Sequence, residues 1–317
     1  MKKFSFKQQL LFELGITLLL YLVLNVLMSL GVITNYWRGI LMTICINVIL
    51  TVSLNITSGF LGELALGHAG FMAAGAYMAA IFSKSLALIP ELEFPLALLV
   101  GGVFAMLLGY LVSIPTLRLR GDYLAIITLA FGEIVRNVLL NIKFTGGAGG
   151  YSSIPKYSTF IWAYFLAAAC VLLSKSLIHS RQGRAIISIR EDEIAAESSG
   201  VDTDHFKKLA FIFSAFFAGI AGGLYAHYMG FLQPAYFNLD KSIEILVMCV
   251  LGGMGNIFGS IISASILTVL PEALRQIADY RMLVYSIVLI VMMLVKYAPQ
   301  MQSIHAKFQR KKVEEEA

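Results

Sequence analysis

Four ionisable side chains, Glu63, His68, Glu133 and Arg136, sit inside otherwise apolar stretches. Carboxylate, imidazole and guanidinium groups in such a setting suit a charge relay, the chemistry of ion-coupled transport. Arg136 follows Glu133 by three residues, one helical turn, so the pair could instead neutralise itself as a structural ion pair on one helix face. Bond-making chemistry has little support. No HExxH or GxSxG string occurs, and His68, His179, His205, His227 and His305 are scattered without ligand spacing. No GxxxxGK[ST] loop is present, so the chain does not hydrolyse ATP by that route and no cofactor is expected. Cys45, Cys170 and Cys249 lie far apart within apolar runs, as small buried hydrophobes do. His227, beside Tyr225 and Tyr228, is expected to anchor a helix end at the membrane interface. Glu244 and Glu272 are expected to be solvated helix termini.

Two stretches dense in glycine interrupt the apolar pattern. TSGFLGELALGHAG at residues 57–70 carries Gly62, Glu63, Gly67 and His68; LGGMGNIFG at residues 251–259 carries Gly252, Gly253, Gly255 and Asn256. Glycine at this density with buried polar residues suggests non-helical backbone at membrane depth, tolerated where protein or a water-filled cavity satisfies it. On that basis these eight residues are the candidate translocation pathway. The alternative is that the glycines only let helices pack closely. A third cluster, TGGAGG at residues 145–150, reads as a flexible or tightly turned external loop.

The longest polar interruption, residues 180–208, has the character of a docking loop. Ser188 followed by Glu191 matches a capping box and Gly200 a helix stop, which predicts a helix over about residues 189–199. Three turns are marginal in water without tertiary support, so the helix should rest on the rest of the chain or on a partner. Arg190, Glu191, Asp192, Glu193 and Glu197 would form its polar rim, Ala195 and Ala196 would permit close approach, and Gly200 would end it.

The elements that must position these residues follow from composition. Hydrophobic residues make up 58% of the 317 and charged residues 14%, with a mean hydropathy of +0.80. That excludes an ordinary soluble domain and predicts an all-α, polytopic membrane helical bundle. Apolar runs at about residues 10–30, 40–56, 71–82, 94–114, 123–140, 160–178, 209–229, 242–251, 257–270 and 282–295 suggest about ten spanning helices with glycine-broken segments. The first run, behind Lys2, Lys3 and Lys7, is too long for a signal peptide and lacks a small-residue cleavage site. Residues 1–300 would form the membrane domain and 301–317 a charged cytoplasmic tail. The net charge of +5 reflects Lys and Arg in short loops at the membrane edge rather than nucleic-acid binding. Placing the N-terminus inside puts most of these cations, including those of residues 180–208, on the cytoplasmic side, with both termini there.

The sequence carries a family resemblance. GRAIISIREDEIAAESSGV at residues 183–201, GELALGHAGF at 62–71, GDYLAIITLAFGEIVR at 121–136, TGGAGG, and SIEILVMCVLGGMG at 242–255 resemble, in the same order, the second permease subunit of bacterial branched-chain amino acid ABC importers. Ala195, Ala196 and Gly200 match the EAAxxxG loop pattern of ABC permeases, whereas Ile194 stands where its Glu would be and Glu193 lies one position earlier. The resemblance implies a multi-pass permease of the bacterial plasma (inner) membrane. Its partners would be a second, homologous permease subunit, two cytosolic ATPase subunits that hydrolyse the ATP, and an extracellular or periplasmic substrate-binding protein delivering Leu, Ile or Val. Urea, short amides or other amino acids are the alternative cargo. An ion-coupled secondary transporter and a non-transporting membrane scaffold are the alternatives of other classes.

The charge distribution generates a direct test of topology. In a chain whose native cysteines are replaced, Ser198→Cys should react with a membrane-impermeant thiol reagent only from the cytoplasm and Ala148→Cys only from outside. Equal sidedness would overturn the helix count.

Overall fold

The computed structural model describes residues 6–30, 34–85, 90–116 and 121–274, with isolated positions beyond. Helices α1 (Phe6–Ser29), α2 (Asn35–Leu54), α3 (His68–Ser85), α4 (Pro90–Thr116), α5 (Asp122–Asn141) and α6 (Phe160–His179) precede the polar loop. The loop itself forms α7 (Arg181–Glu191) and α8 (Glu193–Ser198). Then follow α9 (Thr203–Met229), α10 (Leu239–Gly252) and α11 (Ile257–Ala273). No strand occurs among the described residues, where the extended backbone makes only an isolated antiparallel bridge, Tyr151 to Leu232. The chain divides into two units, Met1–Ser265 and Ile266–Ala317. Helices α1 to α10 and the turn that follows α10 belong to the first.

Each expected apolar segment through residue 270 coincides with a helix. The last, residues 282–295, and the tail, 301–317, lie outside the described residues. The expected count of about ten spans is confirmed only in part. Among the described residues five helices are long and apolar enough to cross a membrane: Asn35–Leu61, Glu91–Pro115, Tyr123–Asn141, Phe160–His179 and Thr203–Met229. At 1.5 Å per residue, the 14 residues of α10 reach only about 21 Å, short of a hydrocarbon core about 30 Å thick.

Burial separates central from peripheral helices. The most apolar windows of Asn35–Leu61 and Thr203–Met229 are 78% and 72% buried, against 28% for those of Tyr123–Asn141 and Phe160–His179. The centre closes on small residues. A Cβ on Gly75 of α3 would lie 2.2 Å from the Gly219 Cα of α9, and one on Gly222 only 2.0 Å from the Met72 carbonyl oxygen. A Cβ on Gly101 of α4 would lie 2.6 Å from the Gly75 carbonyl oxygen. Apolar side chains gain nothing by leaving lipid for each other, so close backbone approach supplies the dispersion contacts that hold such helices together.

Lys207, in the second turn of α9, and Gly230, its C-cap, mark opposite ends of the bundle. At the Gly230 end, the 145–150 cluster is tightly turned, with Gly146, Gly147 and Gly150 at positive φ. A Cβ on Gly150 would meet the Leu232 oxygen at 2.6 Å. Lys84 caps this end, donating to the Ser152 carbonyl at 3.1 Å and lying 4.5 Å from the Tyr151 ring centroid. His227 is not an interfacial anchor. It is fully buried, within 2.9 Å of Ser83 Oγ and 2.8 Å of the Gly223 carbonyl, and stacks on Tyr157. A ring whose two nitrogens both find protein partners satisfies the core without water.

The α4–α9 contact leaves no volume for a branched side chain: a Cβ on Gly219 would lie 2.6 Å from Ala105 Cβ and 2.8 Å from the Gly101 carbonyl oxygen. Gly219→Val should abolish accumulation of folded protein in the membrane, whereas Gly149→Ala, where a Cβ meets nothing within 4 Å, should leave it unchanged. Fluorescence-detected size exclusion of tagged protein measures both, and normal levels of Gly219→Val would refute the packing account.

Candidate functional site

The polar loop folds differently from its sequence expectation. Instead of one helix over 189–199 it forms α7 and α8, broken at Asp192. Ser188 is no cap; its hydroxyl donates to the Ala185 carbonyl within α7. The cap of α7 is Ser180, whose Oγ accepts from Gly183 N–H. Asp192 then takes the extended conformation, φ −160° and ψ 109°, and its Oδ1 accepts from the Ile194 and Ala195 N–H groups at 2.9 and 3.0 Å. A carboxylate holding two otherwise unpaired amides outcompetes continuation of the helix through that residue. Gly200 does stop the second helix, at φ +85°.

The loop rests on both glycine-rich breaks. After Leu54, α2 widens into a π-helical turn, Asn55–Leu61, ending at Gly62 in the left-handed conformation. From α7, Arg190 reaches into this turn and donates to the Gly59 carbonyl at 3.0 Å. The arginine stem fills the space a side chain would need: a Cβ on Gly62 would lie 2.6 Å from Arg190 Cγ, and one on Gly255 2.9 Å from its Nη1. Gly255 belongs to the turn between α10 and α11, where Gly253 and Gly255 both have positive φ. Asn55, buried, ties the breaks to each other. Its Oδ1 accepts from Gly255 N–H and its Nδ2 donates to Ser260 Oγ, each at 2.8 Å.

Beside this contact lies a charge cluster. The Lys207 ammonium, its side chain 3% exposed, pairs with Glu63 Oε1 at 2.8 Å and Glu193 Oε1 at 2.9 Å. The first break, α8 and the start of α9 therefore meet at one cation. Two carboxylates share one ammonium, and Glu63 Oε2 is buried without a hydrogen-bond partner. Burial pushes the Glu63 carboxyl above the usual carboxylate range, against the opposing pull of Lys207.

The remaining candidates brace the breaks. A Cβ on Gly67 would lie 1.9 Å from the Thr128 carbonyl of α5, and one on Gly252 2.6 Å from Ser260 N. His68 is buried, its Nε2 3.0 Å from Ser53 Oγ. Asn256 accepts from Gly259 N–H at 3.1 Å and, with Gly255, Phe60 and Lys175, borders an open cavity of about 640 Å³. Within the loop, Ala196 faces inward at 5% exposure while Ile194 is 64% exposed and Ala195, Glu191, Asp192 and Glu197 are exposed as well. The alanine pair thus splits: Ala196 packs against its own chain, and the outward surface centres on Ile194 and Ala195. Sequence reasoning missed Asn55 and Lys207. A lone amide at the threshold of a glycine-rich break was the available signal for Asn55, whereas Lys207 read as one more loop cation.

Long apolar helices interrupted by two glycine-rich turns, with a polar helical loop clasped to both, define a multi-pass helical membrane protein of the permease type. The chain belongs to the family of branched-chain amino acid transport system permease components, whose profile matches residues 36–295. It is 38% identical over 284 residues to the high-affinity branched-chain amino acid transport system permease protein LivM of Escherichia coli (strain K12), covering 78% of this chain and 66% of that protein. It is 39% identical, with the same coverage, to LivM of Salmonella typhimurium. To LivH of Escherichia coli (strain K12), another permease protein of the same system by name, it is 31% identical over 147 residues, covering 45% of this chain and 47% of LivH. The chain therefore spans about two-thirds of the length of its LivM relatives, at 66%. No solved structure matches.

The charge cluster separates two substitutions at one contact. Lys207→Met strands two carboxylates and, by the measure of buried pairs broken from one side, should destabilise by about 3–5 kcal/mol. Glu63→Gln keeps a hydrogen-bonding oxygen toward Lys207 and removes the excess negative charge, so its melting temperature should stay near that of the parent. Thermal unfolding in detergent measures both, and equal losses would contradict this charge balance.

Proposed function

We propose that this chain is a membrane permease subunit of an ATP-driven ABC importer for the branched-chain amino acids Leu, Ile and Val. Residues 1–300 are its membrane domain. It pairs with a second, homologous permease subunit, takes substrate from an extracellular or periplasmic binding protein, and is driven by two cytosolic ATPases that carry out the hydrolysis. Both termini and residues 180–208 face the cytoplasm of a bacterial cell whose plasma membrane it spans. Family membership and the likeness to LivM support the class and the cargo, and the additional likeness to LivH supports the pairing of two similar subunits.

The observation that carries this reading is the clasp of α7 and α8 on both breaks. Arg190 and Glu193 face inward to Gly59 and Lys207, while Ile194, Ala195 and Glu197 face outward. A segment that grips broken helices on one side and offers an apolar residue with a polar rim on the other can pass movement of an ATPase to the membrane domain. The breaks are then hinges of the translocation pathway, and their glycines keep the backbone close to the arginine that moves them.

Ala195→Trp and Ile194→Asp, both on the outward face, should leave the protein in the membrane at normal levels. Each should cut both ATPase co-purification and leucine uptake at least tenfold. Ala196→Trp should instead lower the amount of folded protein, because its side chain points into the chain. Unchanged uptake and co-purification in both outward variants would refute the docking role of α8.

A further inference from the structure

The peripheral helix α5 carries polar groups where a lipid-facing helix would carry none. Glu133 lies roughly 17 Å along a helix about 30 Å long, at mid-depth for a spanning segment. Its Oε2 receives both contacts from Arg136, the Nε hydrogen bond at 2.8 Å and the Nη2 contact at 2.6 Å. That leaves Glu133 Oε1 and Arg136 Nη1 without a protein partner among the described residues. The two side chains are 30% and 28% exposed. Asn137 and Asn141 follow on the exposed face, their Nδ2 groups donating to the Glu133 and Asn137 carbonyls. An ionised pair open to hydrocarbon at this depth is costly, so this face meets water, cargo or protein.

The pair also borders the first break. Gly132 packs against Gly67 and Gly70, and Glu133 lines a narrow crevice with Leu66, Gly70, Asn238 and Ser242. Its volume, about 10 Å³, holds one water at most and no amino acid. A ligand must therefore lie over the open face of α5 rather than inside the chain.

We propose that Glu133 and Arg136 form a binding site for the zwitterionic head of an α-amino acid on the translocation route, with Asn137 beside it. The free guanidinium edge takes the α-carboxylate, for which its fork geometry is suited, and the free carboxylate oxygen takes the α-ammonium. Each charge of the cargo meets its opposite while Glu133 and Arg136 stay paired to each other, so neither protein charge is stranded when the cargo leaves. The apolar neighbours Ile126, Ala130 and Ile134 are exposed on the same face and suit a branched aliphatic side chain. This inference rests on the importer reading and assigns residues to it.

The test uses the assembled transporter in membrane vesicles with labelled leucine. Uptake by the parent complex checks the importer reading itself; its absence would sink that reading and leave no cargo for the site. Given parental uptake, the double variant Glu133→Gln with Arg136→Gln should assemble with its partners and lose at least tenfold in uptake at limiting leucine. Assembly with near-parental uptake would show a merely structural ion pair and overturn the site alone. An independent measurement covers a variant that fails to assemble: Asn137→Cys, in a chain without native cysteines, should react with a small thiol reagent in the complex and be protected severalfold by leucine. Labelling indifferent to leucine, or no labelling together with cross-linking to the second permease subunit, would assign the face to solvent or to a subunit interface and overturn the proposal.

Discussion

Backbone that leaves a helix inside an apolar bundle must find its hydrogen bonds within the protein, and that requirement organises this structure. The π-helical turn after α2 and the turn between α10 and α11 both release polar groups. Asn55 and Arg190 take them up, the amide from within the first break and the guanidinium from the polar loop. Because one arginine lies against Gly62 and Gly255 together, the loop cannot shift without disturbing both breaks. The glycines are thus tied to a definite contact. Any Cβ at Gly59, Gly62 or Gly255 would occupy space already taken by Asn55 or Arg190.

Away from the breaks, the bundle is held by short backbone separations rather than by large interlocking side chains. Gly75, Gly101, Gly219 and Gly222 let α3, α4 and α9 approach until backbone atoms touch. The far end of α9 is pinned by the Tyr151–Leu232 bridge and by Lys84.

Electrostatics distinguishes the two ionic features. The Lys207 cluster is closed: its ammonium is buried and both carboxylates are oriented by it. The Glu133–Arg136 pair is open, half-satisfied and placed on a helix with little protein around it. A closed cluster suits a mechanical joint because separating its members strands charge in low dielectric. An open pair suits recruitment, since each member keeps a free polar edge while the two stay paired.

What the sequence by itself determined is the class: apolar runs of spanning length, three buried cysteines, two glycine-rich interruptions and one long polar loop are all properties of local composition, and composition dictates partitioning into a membrane. The positions of the helices through residue 270 were legible for the same reason. The break at Asp192 was less so, because Ser188 and Asp192 both carry capping groups, and the choice between them depends on where α7 begins and on Arg190 reaching Gly59. Only the tertiary structure decided that Ala196 is buried and Ile194 exposed, that His227 is a core residue, and that Lys207 belongs to Glu63 across 144 positions of chain. Those outcomes depend on which helix faces meet, and pairing over such separations is set by the packing of close-approaching backbones, which local periodicity does not encode.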